Sequence, residues 1–234
     1  MAIFSLLVRR SGLSVLMYHS IANNEVFFTV KPEIFAKQMK YLKDKNYRVA
    51  SLKKIIEILK SDNLLPSKTI ALTFDDGFKG FYLNAWPILE KYQLPATVFL
   101  AVDFIGKTMN NSVNIPLEVM NWNQIRQLHK SGLVEFGSHT LSHPKLKELK
   151  PDLLMAEINK SKQIIEQQLQ VPCDFFAAPK GGYDDISLKA IKKAGYIAAF
   201  GIKPGFINRE DDLFALKRNS VNKYTTFIQF KAKL

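Results

Sequence analysis

The amino-acid sequence predicts an α/β fold in which helices cover a mostly parallel sheet. Three observations carry this. Short apolar, β-branched runs alternate with amphipathic helical segments at least six times. No internal repeat, linker or low-complexity tract interrupts the alternation. The polar clusters follow directly after predicted strands, where parallel α/β folds gather their functional groups. A barrel and a doubly wound layer both satisfy these observations. At 234 residues, 47% hydrophobic and 23% charged, the chain fits one domain over 1–234 with a sizeable core.

Residues 14–19 read as a first strand, apolar before its polar end. The stretch 32–45 reads as a helix, because Pro32 suits a first turn and Phe35, Met39 and Leu42 recur at i, i+4 and i+7. A short strand is expected at 47–50. Ser51 then reads as the N-cap of a helix that aligns Leu52, Ile55, Ile56 and Leu59 on one face. The run 69–74 has the β-branched and apolar content of a buried strand. A helix follows at 84–92 with Pro87 in its first turn, and 96–102 is an unbroken apolar strand. From 104 to 121 the pattern fades, in a segment long enough to wall a substrate cleft. Residues 123–130 read as a short helix stopped by Gly132, 134–137 as a strand, and 152–170 as the longest helix. Strand 175–178, helix 186–194, strand 197–200, a last strand at 216–221 and a short terminal helix complete the chain.

The net charge of +12 implies attraction to polyanions: nucleic acid, an anionic membrane, acidic glycans or phosphorylated carriers. The lysines are spread over predicted helix faces and not massed among aromatics. A solvated basic surface is therefore expected, and no nucleic-acid partner. The single cysteine, Cys173, excludes an intramolecular disulfide and reads as a small buried hydrophobe. Residues 1–8 are apolar but lack a basic n-region and a cleavage site, and no run reaches the roughly 18 apolar residues of a spanning helix. The expectation is a cytoplasmic protein, with peripheral contact at the anionic inner membrane face compatible with its charge. Oligomeric state is unreadable from the sequence.

The strand at 69–74 ends in Asp75-Asp76-Gly77. Neighbouring strand side chains point to opposite faces, so the two carboxylates share a site only if the backbone turns, and Gly77 gives it that freedom. Two bare carboxylates that close would repel, whereas a cation lets both stay ionised. His139 and His143 follow another predicted strand, four residues apart, a spacing that lets both imidazoles face one ion. Two histidines and a carboxylate form a common catalytic zinc set with a position left open for water. A strand-end turn and a pair of loop histidines are the plain alternatives.

Thr73-Phe74-Asp75-Asp76-Gly77 and His139-Thr140-Leu141-Ser142-His143-Pro144 resemble the first two motifs of the carbohydrate esterase family 4 polysaccharide deacetylases. Phe176-Ala177-Ala178-Pro179-Lys180-Gly181 is similar to their third motif. The likeness runs from about residue 14 to residue 221 and implies a distorted (β/α) barrel. It further implies that Asp76, His139 and His143 hold a divalent metal, most often Zn2+, with Co2+ or Ni2+ able to substitute. Asp75 would be the general base, and the backbone N–H of Lys180 an oxyanion donor.

Ala177 stands where many members carry the arginine that orients the base. Arg218 resembles the arginine that replaces it in the poly-N-acetylglucosamine deacetylase branch, although a surface arginine is an equal reading. Lys180 replaces the usual aromatic, which exchanges sugar stacking for positive charge. No histidine follows His143, so His19, in a Tyr-His segment like that of the same branch, is the candidate acid. Pro179, Lys180, Gly181, Tyr183 and Trp122 are candidate substrate contacts, Trp122 as a stacking surface. The implied activity is removal of an N-acetyl group from an amino sugar in a surface polysaccharide or its lipid-linked or nucleotide-sugar precursor. Hydrolysis of another non-peptide amide, or glycan binding without turnover, also fits the sequence.

Overall fold

The computed structural model describes residues 12–110 and 115–234; the apolar start at 1–8, with Arg9 and Arg10, lies outside them. The strands in chain order are β1 (Ser14–Tyr18), β2 (Ser20–Ile21), β3 (Thr29–Val30), β4 (Arg48–Val49), β5 (Thr69–Phe74), β6 (Ala96–Leu100), β7 (Thr108–Met109), β8 (Leu117–Glu118), β9 (Val134–Ser138), β10 (Phe175–Ala177), β11 (Ala198–Phe200) and β12 (Asn219–Ser220). The α-helices are α1 (Pro32–Asp44), α2 (Leu52–Lys60), α3 (Trp86–Tyr92), α4 (Trp122–Lys130), α5 (Pro151–Leu169), α6 (Asp185–Lys193) and α7 (Phe227–Ala232).

The main sheet runs β11-β10-β9-β6-β5-β1-β12, with every pairing parallel. β4 lies beside the start of β5, and β6 takes over the same edge at Thr73 and Phe74. Residues 216–220 touch both ends of this order. Leu216 bridges to Phe200 in β11, and Asn219 pairs with Leu16 in β1. That segment closes the sheet on itself, giving the distorted (β/α) barrel that the motif resemblance implied.

Strand periodicity divides the core. Val15, Ala71, Phe99, Phe175 and Phe200 pack together inside the barrel with Leu216. Their neighbours Leu16, Leu72, Val98, Phe176 and Ala199 face the helical layer. Each fully buried phenylalanine contributes roughly 1.5–3 kcal/mol. At the N-terminal end of the barrel, Glu135 accepts hydrogen bonds from the Leu52 N–H and the Thr97 hydroxyl, both at 3.0 Å, and ties α2 to the interior. Ser51 caps α2 as its sequence position predicts, accepting from the Lys54 N–H.

Several expected boundaries move for local reasons. β6 stops at Leu100 and not at 102, because Val102 N–H turns to bond the Thr140 carbonyl at 3.1 Å. Pro87 does sit in the first turn of α3, but a π-helical turn, Phe81–Ala85, precedes it, with Trp86 N–H bonded to Phe81 O. The wider turn leads the chain into a proline that has no N–H of its own to donate. The strand expected at 216–221 shrinks to β12, because residues 216–220 serve two strands at once. Segment 104–121 contains the antiparallel β7–β8 pair over a separate apolar cluster of Val26, Phe78, Ala101, Met109, Leu117 and Val119. It borders a cavity of about 460 Å³ with Lys79, Lys107, Glu118 and Gln124 in its wall. Among the described residues, no helix is long and apolar enough to cross a membrane.

Candidate active site

The site begins where β5 ends. Asp75 N–H still bonds Tyr18 O at 2.9 Å, so the ladder with β1 extends one residue past Phe74. The backbone then turns through two left-handed residues, Asp76 at φ 70° and Gly77 at φ 69°. Only the second is a glycine. Aspartate tolerates this region better than most side chains, at a strain often met at functional sites. The turn sends the two carboxylates to different partners.

Asp75 keeps the inward parity of Ala71 and Thr73 and meets Arg218 inside the barrel. The guanidinium is fully buried and binds both carboxylate oxygens, Nη1 to Oδ1 at 2.6 Å and Nη2 to Oδ2 at 2.8 Å. Nε donates to Gly201 O at 2.9 Å, Nη1 reaches Thr73 Oγ1 at 3.3 Å, and the group lies 5.4 Å from the Phe99 ring centre. Burial alone would raise the Asp75 pKa. The Arg218 charge outweighs it and holds the carboxyl ionised well below the usual carboxylate range. Arg218 is thus no surface arginine: it is buried and grips both oxygens of Asp75.

Asp76 faces the histidines. His139 continues the inward parity of β9, and its Nδ1 lies 2.7 Å from the Ala177 carbonyl. A carbonyl only accepts, so Nδ1 carries the proton and Nε2 of the neutral ring presents a lone pair. Burial lowers the His139 pKa to about 4, which keeps the ring neutral near pH 7. His139 Nε2 lies 3.6 Å from Asp76 Oδ1, and His143 Nε2 lies 3.1 Å from the same oxygen. That oxygen is buried with no hydrogen-bond donor of acceptable geometry. Burial would raise the Asp76 pKa, but the adjoining His143 and His139 bring it below its ordinary value. The candidate ligand atoms of Asp76, His139 and His143 all lie within 4.8 Å of one another. A carboxylate and imidazole lone pairs converging on one point suit a divalent cation, and the set fits the metal that the motifs imply.

His19 sits just past β1. Its ring is half-buried and tilts against Phe28 with centroids 5.2 Å apart, and its Nδ1 is buried without a hydrogen-bond partner. His19 is the last and smallest of the named electrostatic influences that lower both aspartates. Beyond β10, Pro179–Gly181 form a single turn in which Lys180 (φ 56°) and Gly181 (φ 61°) are left-handed. Pro179 is buried, Lys180 is exposed, and a Cβ on Gly181 would strike Ile202. Tyr183 lies against Gly201, where a Cβ would fall 2.8 Å from its hydroxyl. Trp122 opens α4 and packs, half-buried, against the main core; no described contact joins it to the metal ligands.

Two contributors escaped the sequence reading. Gly201 supplies the carbonyl that holds Arg218 Nε. Glu157 of α5 accepts three hydrogen bonds from the loop between the histidines. Neither carries a local signal: Gly201 meets Arg218 across 17 residues, and Glu157 meets the loop across 15 and 16.

A cation seat beside a carboxylate kept ionised, at the C-terminal rim of a parallel barrel, is the equipment of a metal-assisted hydrolase. The family model described as Polysaccharide deacetylase matches residues 62–199, and the chain belongs to that family. It is 31% identical over 210 residues to the Bacillus subtilis protein YxkH, covering 90% of this chain and 71% of that one. It is 30% identical over 184 residues to a poly-beta-1,6-N-acetyl-D-glucosamine N-deacetylase of Staphylococcus aureus, covering 75% of this chain and 62% of that protein. Among solved structures, the Streptococcus pyogenes deacetylase PplD in complex with acetate matches with a TM-score of 0.82 and 26% identity, over 95% of this chain and 97% of that one.

Proposed function

We propose that this protein is a metal-dependent N-deacetylase acting on an N-acetylated amino sugar in a polysaccharide of the poly-β-1,6-N-acetylglucosamine type or in its precursor. The observation that carries the reading is the separation of the two adjacent carboxylates, Asp75 to Arg218 and Asp76 to the histidines. Asp76, His139 and His143 would hold the metal, and Zn2+ suits their mixed nitrogen and oxygen donors best, with Co2+ or Ni2+ as substitutes. Once bound, the metal supplies Lewis acidity at the acetyl carbonyl and makes attacking water more acidic.

The remaining work falls to the chain's own groups. Asp75, oriented through both oxygens by Arg218, takes the proton of the attacking water. Water oxygen bonds the acetyl carbon, and the Lys180 N–H donates to the oxyanion that develops there. His19 delivers a proton to the departing nitrogen. The C–N bond breaks, acetate leaves, and a free amine stays on the sugar. A glycan-binding domain without turnover loses its main support here, because Arg218 takes over the orienting role that Ala177 cannot fill. The exposed charge of Lys180 favours an anionic or phosphate-linked acceptor; a Lys180→Tyr variant with an unchanged preference between charged and neutral acceptors would remove that refinement.

The test is acetate release from β-1,6-linked N-acetylglucosamine oligomers. Release is expected with Zn2+ present, abolished by chelation and restored on readdition. A zinc-loaded protein that frees no acetate from any acetylated amino sugar would overturn the reading.

A further inference from the structure

The loop that carries both histidines, residues 139–143, is bent against local preference. Thr140 (φ 67°) and His143 (φ 61°) both hold left-handed backbone, so neither ligand keeps its place by intrinsic propensity. Its carbonyl side is fastened to the turn after β6, with Val102 N–H on Thr140 O at 3.1 Å and Asp103 N–H on Leu141 O at 3.0 Å. Its N–H side is fastened by one carboxylate. Glu157 Oε2 accepts from the Leu141 N–H at 2.9 Å and the Ser142 N–H at 3.0 Å, while Oε1 accepts from the Ser142 hydroxyl at 2.6 Å. Two successive N–H groups after a left-handed residue form a small concave cradle for an anion, and Glu157 occupies it.

α5 is built to deliver this group. Leu154, Ile158, Ile165 and Leu169 bury its inner face. Ser161, one turn beyond Glu157 on the same face, meets Ser138 Oγ at 2.7 Å. Ser138 Oγ in turn accepts from the Thr140 N–H at 3.1 Å. One helix face therefore holds the strand end before His139 and the loop before His143. Lys145 pairs with Glu148, and Lys162 with Glu166, which leaves Glu157 without an ion-pair partner among the described contacts. Its described side-chain hydrogen bonds go to the histidine loop.

We propose that Glu157 is a positioning residue of the metal centre: its carboxylate holds the 139–143 loop in the conformation that aims both imidazoles at Asp76. The proposal rests on the metal reading of Asp76, His139 and His143 and is independent of the substrate. Groups that orient metal ligands typically change metal affinity by about 10–100-fold when removed.

The experiment is a zinc titration against a chromophoric competitor, with thermal unfolding of each metal-free variant alongside. Glu157→Ala is expected to weaken zinc binding by about tenfold or more, while the metal-free melting temperature stays within about 3 °C of wild type. Glu157→Gln keeps an acceptor oxygen for the two N–H groups and is expected to bind within about threefold of wild type. Ser142→Ala, which removes only the hydroxyl contact, should fall between the two. Wild-type affinity in Glu157→Ala overturns the proposal, as does equal weakening in Glu157→Gln and Glu157→Ala. If Glu157→Ala does not fold, the Glu157→Gln and Ser142→Ala titrations decide by the same criterion: an unchanged Ser142→Ala overturns it. A wild-type protein that takes up no zinc overturns the metal reading itself.

Discussion

Replacing Arg218 with methionine isolates what the buried guanidinium does. Methionine keeps much of the length and packing against Phe99 but removes every donor to Asp75, Thr73 and Gly201. Asp75, 2% exposed in the folded chain, then loses both hydrogen bonds from the guanidinium. Removing one partner of a buried pair costs about 3–5 kcal/mol, because the other charge is stranded. For a chain of this size that corresponds to roughly 6–20 °C in Tm. Neutralising the survivor should recover much of the loss, so Arg218→Met/Asp75→Asn is expected to be at least about 2 kcal/mol more stable than Arg218→Met alone. Urea unfolding in excess chelator, followed by circular dichroism, measures all three proteins without a contribution from metal binding. A loss below about 1 kcal/mol in Arg218→Met would refute the reasoning. So would a double variant no more stable than the single one.

Three further outcomes follow from the same geometry. Asp75→Asn should bind zinc as wild type does yet release acetate at least about 10²-fold more slowly, whereas His139→Ala should lose zinc and turnover together; full activity in Asp75→Asn would end its assignment as base. His19→Ala should slow acetate release about 10²-fold or more and alter the pH–rate profile; an unchanged rate and profile would move the acid elsewhere. Glu135 has its pKa raised by burial from 4.5, so its contribution to stability is greatest at low pH and is lost as pH rises through the folded value. Glu135→Gln has no such loss, and its Tm should gain on wild type as pH rises above the ordinary carboxylate range; a gap independent of pH would contradict this.

What could be read from the sequence was what local pattern encodes. β5, α2 and α5 were legible because apolar period and capping are properties of neighbouring residues, and the Asp75–Asp76 and His139–His143 pairs because each lies within one turn. Arg218 was only half legible. An arginine is ordinarily a surface residue, and its complete burial depends on residues 216–220 reaching two strands at once. The sequence marks Gly77 as the place of the turn, and nothing in it marks a non-glycine residue held at φ 70°. Two-residue strands such as β2 and β3 offer too few positions for a period to show.

The seam at 216–220 has a consequence for the order in which this molecule becomes competent. Asp75 and Arg218 are 143 positions apart, so their pairing closes a long loop of chain. Until then the carboxylate after β5 must stay wet or protonated, and the barrel lacks its last joint. Architecture and chemistry are thereby completed in one event. A chain whose C-terminal segment has not docked is an open sheet in which Asp75 has no Arg218 to hold it.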